Sequence, residues 1–113
     1  MDLTLGLSQC DFLEQAKKLK DCQQLYIKLQ KDTAKPLVWI QYQRFIRRNG
    51  DVCGKKGLNH DEKSKIDGAR KIFTKARKSQ DGSCTWHVYV SAANMELYCN
   101  KQAKIAQNIF ELG

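Results

Sequence analysis

The feature that most constrains this chain is a two-part pattern of apolar residues that occurs twice in the same order. Trp39, Tyr42 and Phe45 are matched fifty positions later by Tyr89, Ala92 and Met95. Ala69, Ile72, Phe73 and Ala76 are matched thirty-seven positions later by Ala106, Ile109, Phe110 and Gly113. Steps of three and four residues place side chains on one face of a helix. A pair of such faces, repeated in order, is the signature of helical hairpins that stack, each leaving an apolar face for the next to cover. Cys22, Leu25, Tyr26 and Leu29 fit the second half of the pattern. The expected fold is all-α: antiparallel helical hairpins stacked as an α-solenoid. The alternative is a bundle of three or six helices with accidental internal similarity.

Punctuation divides the chain into six expected helices, over about 3–18, 20–31, 36–49, 61–79, 84–99 and 101–112. Pro36 suits a first turn, where its missing N–H costs nothing. Asn49-Gly50 suits a helix end that turns left-handed. Asn59 or Asp61 suits the cap of the fourth helix, and Asp81-Gly82 marks a turn. The β-branched and aromatic run from Thr85 to Val90 favours a strand by propensity, but the Ala92, Ala93, Met95 and Leu97 that follow favour helix. The expected organisation over 1–113 is a partial repeat array. A first hairpin covers 1–32, a second covers 33–79 with an inserted loop at 49–62, and a third covers 84–113 and is cut short. The expected repeat core is Trp39, Tyr42, Phe45, Ala69, Ile72, Phe73, Tyr89, Met95, Ile109 and Phe110.

Charge is uneven. The formal net charge is +8, and all of the excess lies between Arg44 and Lys78, where twelve Lys or Arg face four acids. Arg44, Arg47, Arg48, Lys55, Lys56, Lys71 and Lys75 are therefore the candidate contacts to RNA or to a partner. The competing reading is a solvated face kept soluble by lysines. At 42% hydrophobic and 28% charged, the composition suits neither a membrane protein nor a disordered tail. No apolar run approaches the roughly 18 residues that a span needs. Five widely spaced cysteines, an odd number, suit reduced and mostly buried thiols.

Residues for chemistry are sparse. His60 and His87 sit in no pattern with a nucleophile and an orienting acid, so no catalytic residue is expected. Cys53, His60, Cys84 and His87 carry the right atoms for zinc, but neither their order nor their spacing fits a structural site, and no metal is expected. The glycine loop from Gly50 to Gly57 lacks the spacing and the hydroxyl of a phosphate-binding loop, and no cofactor is expected.

Trp39-Ile40-Gln41-Tyr42 with Phe45, and Ala69-Arg70-Lys71-Ile72-Phe73-Thr74-Lys75-Ala76-Arg77, resemble the two helices of a HAT repeat. With the stretches 87–99 and 109–113, the chain from about Cys10 onward resembles the suppressor-of-forked family, the HAT-repeat large subunit of the cleavage stimulation factor. Against that family's pattern 49–62 is an insertion, the first nine residues match poorly, and the chain stops inside a hairpin, as a fragment would. The resemblance implies a nuclear, non-catalytic scaffold in pre-mRNA 3′-end cleavage and polyadenylation. It implies other polyadenylation-factor subunits as partners and a homodimer in the full-length protein. Two alternatives stand beside it: a helical module that binds RNA directly through 44–78, and a HAT scaffold of splicing.

Overall fold

The structure is a computed structural model that describes residues 3–33, 35–50, 52, 61–79 and 84–112. It holds α1 (Leu3–Gln15), α2 (Leu19–Asp32), α3 (Pro36–Asn49), α4 (Glu62–Lys78), α5 (Trp86–Asn94) and α6 (Ala103–Leu112), with a π-helical turn at Met95–Cys99 continuing α5. No strand occurs among the described residues. No helix there is long and apolar enough to cross a membrane. Within each hairpin α1 packs on α2, α3 on α4, and α5 with its π turn on α6. Between hairpins α2 and α5 both pack on α3, and α4 also meets α5. The result is the stack of hairpins expected from the repeat.

Local chemistry sets the ends of these elements. Pro36 stands in the first turn of α3, and Gly50 closes that helix at φ 84°, its N–H donating to the Ile46 carbonyl at 2.7 Å. Asp61, one of the two expected caps, accepts from the Ser64 N–H at 2.8 Å. Asn59 lies outside the described residues, as do Lys55, Lys56 and the Asp81-Gly82 turn. The first helix ends three residues before the expected 18. Lys17 turns left-handed at φ 63°, and the Lys18 N–H reaches back to the Leu13 carbonyl at 2.9 Å. Lys101 repeats the device at φ 60° between the π turn and α6. The residues from Trp86 onward are helical despite their strand propensity, because Val88, Ala92 and Ala93 are buried against the stack.

The core is built from aromatics set against small residues. Tyr26 stacks on Tyr42 with centroids 5.6 Å apart, and Phe45 lies 5.5 Å from Tyr26. The Gln23 amide, buried beside them, donates to the Tyr42 hydroxyl at 3.2 Å. Phe73 meets Tyr89 edge-on at 5.4 Å. Of the expected core, Trp39, Tyr42, Phe45, Ala69, Ile72, Phe73, Met95 and Ile109 are buried, and Tyr89 is half-buried. Phe110 differs, at 48% exposed. About half of its surface stays in water although α6 packs against α5 and the π turn. The thiols also divide: Cys10 and Cys22 are buried, Cys84 is half-buried and Cys99 is exposed, while Cys53 lies outside the described residues. Burial pushes the Cys10 thiol up to about 12 and the Cys22 thiol up to about 11, which keeps both protonated and unreactive.

Gly68 of α4 lies tight against Ile46 of α3. A β-carbon there would sit 2.8 Å from Cγ2 of Ile46. Gly68→Ala gains about 0.5–1 kcal/mol of helix propensity but forces a methyl into filled space, at about 1–3 kcal/mol. The expected net effect is a loss of about 1 kcal/mol in urea unfolding. In an Ile46→Ala background, where the space is open, the same change should be neutral or stabilising. An additive result would show that the two helices are not in contact there.

Candidate partner-binding surface

Arg44, Arg47 and Arg48 lie three and four residues apart on the C-terminal half of α3, so they project from one face. Ser91, Asn94, Met95 and Tyr98 form the matching stripe along α5 and its π turn. The two stripes, with Cys99, wall a groove of about 370 Å³. The structure thus gathers three of the candidate contact residues at one place. Lys71 and Lys75 are exposed on α4 and do not line the groove.

The three arginines are not equivalent. Arg48 makes a two-pronged pair with Glu14 of α1, at 2.9 and 2.7 Å, and Asn49 adds a third bond to the same carboxylate at 2.8 Å. The hydrogen bond from Arg48 holds the Glu14 carboxyl below its usual range, against burial, with Asn49 helping. Arg47 donates through Nε to Oδ1 of Asn100 at 2.6 Å and through Nη2 to the Cys99 carbonyl at 3.3 Å. It also pairs with the exposed Glu62 at 3.0 Å. Arg47 therefore fixes the end of the π turn, and with it one wall of the groove. Arg44 is exposed and makes no hydrogen bond or ion pair among the described residues.

A third clamp lies outside the groove and outside the candidates drawn from sequence. Arg70 of α4 grips Glu96 of the π turn at 2.8 and 2.9 Å. Glu96 is 3% exposed. Its burial works to raise its pKa, but the hydrogen bonds from Arg70 and the charges of Arg70 and Arg47 outweigh that and hold it low. The sequence carried one sign of this: Glu96 is an acid set among Ala92, Ala93, Met95 and Leu97 at inward spacing.

No group of His, Cys, Asp and Glu that could hold a metal ion occurs among the described residues. Cys53 and His60 lie outside them. Ring stacking joins His87 to Trp86 at 3.7 Å, and its Nδ1 lies 3.1 Å from the Thr85 hydroxyl. What the surface offers is a shaped groove and a set of exposed cations, which suits binding.

Comparison with known proteins places the chain in a family. Residues 4–113 match the model of the family described as suppressor of forked protein. The chain is 37% identical over 111 residues to the protein suppressor of forked of Drosophila melanogaster, a match covering 96% of this chain and 12% of that protein. It is 37% identical over 95 residues to cleavage stimulation factor subunit 77 of Arabidopsis thaliana, covering 84% of this chain and 11% of that one. It is 42% identical over 77 residues to the mRNA 3′-end-processing protein RNA14 of Cryptococcus neoformans, covering 68% of this chain and 6% of that one. The chain therefore spans about an eighth or less of the length of these relatives. By a family match that runs from residue 4 to the last, on a fold of stacked helical hairpins, this chain belongs to the suppressor-of-forked family.

Proposed function

We propose that this chain is part of a non-catalytic scaffold in nuclear pre-mRNA 3′-end cleavage and polyadenylation, working through protein–protein contacts. The observation that carries the reading is its similarity, along nearly its whole length, to proteins named for that process. Stacked hairpins present a long surface on which other subunits of the machinery dock. Dimerisation through the HAT array belongs to the same reading for the full-length protein. The three hairpins 1–32, 33–79 and 84–113 are its repeat units.

The basic middle supports this reading better than direct RNA binding. Arg47 and Arg48 spend their charge on Glu62 and Glu14, so they offer little to a phosphate backbone, whose binding rests on unpaired cations. The test is a pulldown with the chain from nuclease-treated nuclear extract, read by mass spectrometry. Recovery of polyadenylation factors is the expected result. Loss of every partner on nuclease treatment, together with tight and salt-sensitive RNA binding, would move the function onto Arg44, Lys71 and Lys75.

A further inference from the structure

We propose that the groove between α3 and α5 receives a short acidic segment of a partner protein, with a carboxylate against Arg44 and an apolar side chain against Met95 and Tyr98. This deepens the scaffold reading and rests on it for the occupant being a protein.

The charge of the groove calls for an anion. Arg44 carries the one arginine charge there that no carboxylate of the described residues neutralises. An exposed guanidinium holds a carboxylate with two parallel hydrogen bonds.

The remaining surface suits an apolar side chain. Tyr98 is 69% exposed, a large ring left in water, and Met95 lies beside it. Methionine adapts its shape to what it meets. A volume of about 370 Å³ is at the small end for a ligand site, enough for one large side chain and a neighbouring acid. The π turn beneath Tyr98 is the kind of local widening that recurs at functional sites, and Arg47 pins it. The +8 charge of the chain favours the approach of an acidic segment from a distance. A nucleic-acid strand would need a file of free cations and several stacking rings, whereas the groove holds one free arginine and one tyrosine.

A phage-displayed library of random short peptides is selected on the 113-residue chain, with Arg44→Glu as the counter-selection. The expected winners carry Asp or Glu beside Phe, Leu or Trp. By fluorescence polarisation they should bind Arg44→Glu and Tyr98→Ala at least roughly tenfold more weakly. Both positions are exposed, and circular dichroism should show the helicity of each variant unchanged. Three results would overturn the proposal: no enrichment over the counter-selection, winners without an acid, or winners that bind either variant as tightly as the unaltered chain. Single-stranded RNA that binds in an Arg44-dependent way while no peptide is enriched would assign the groove to RNA instead. The nuclear-extract pulldown separates the two readings. If Arg44→Glu recovers the same factors undiminished, the groove proposal fails and the scaffold reading stands. If the unaltered chain recovers none, the scaffold reading fails whatever the peptides do.

Discussion

Arg70→Ala is expected to cost about 3 kcal/mol of folding stability, the low end for stranding one partner of an ion pair, because the pair is only part-buried. The loss comes from the residue left behind. Arg70 is 40% exposed on its side chain, while Glu96 is nearly sealed. Removing the guanidinium leaves a carboxylate in the interior with the more distant Arg47 charge for support. Glu96→Gln should cost less, because the stranded arginine can turn into water. The pH dependence gives an independent check. In the unaltered chain Glu96 titrates below its ordinary 4.5. Its contribution is therefore complete above that value and is lost as pH falls through the depressed one. In Arg70→Ala burial dominates and lifts the same group above 4.5, so the penalty is present at neutral pH and fades on acidification. Urea unfolding of both proteins at pH 7 and pH 4 should show the gap between them narrowing. A gap independent of pH would mean that Arg70 acts through packing alone.

Phe45→Ala should be as damaging, at about 3–5 kcal/mol, from lost burial together with the cavity that remains. Phe45 is completely buried and lies against Tyr26, which itself stacks on Tyr42. This cluster joins α2 to α3 and is the apolar seam between the first two hairpins. Solenoid stability is a sum of units and seams, so the variant should lose cooperativity as well as stability. Trp39 is buried in α3 and Trp86 is exposed at the start of α5. Denaturant curves followed by tryptophan fluorescence and by circular dichroism should coincide for the unaltered chain and separate for Phe45→Ala. Phe45→Leu, which refills most of the volume, should restore most of the loss. A single sharp transition with unchanged midpoint would show that the seam contributes nothing.

The elements were legible because their signals are local. Pro36, Asn49-Gly50 and Asp61 act on backbone groups within four residues, and Trp39, Tyr42 and Phe45 state the helical period outright. The π turn was not legible, since one widened turn leaves Met95 and Leu97 looking like ordinary helix. Phe110 misled because its spacing marks an apolar face but cannot say whether a neighbour covers it. The surface was harder still. A count of charge between Arg44 and Lys78 treats every arginine alike. Only the fold brings Glu14 to Arg48 and Glu96 to Arg70, across separations of 34 and 26 residues. The groove itself needed two helices in register.

The clamps also have a mechanical meaning. Glu14 with Arg48 braces the first hairpin against the second, and Arg70 with Glu96 braces the second against the third. A two-pronged guanidinium–carboxylate pair is planar and resists swivelling, where a single ammonium contact would pivot. Each seam is thus a strut and not a hinge. Load applied to one hairpin passes to the next as torque, and on the proposed scaffold reading partners seated on neighbouring hairpins would keep a fixed bearing to one another.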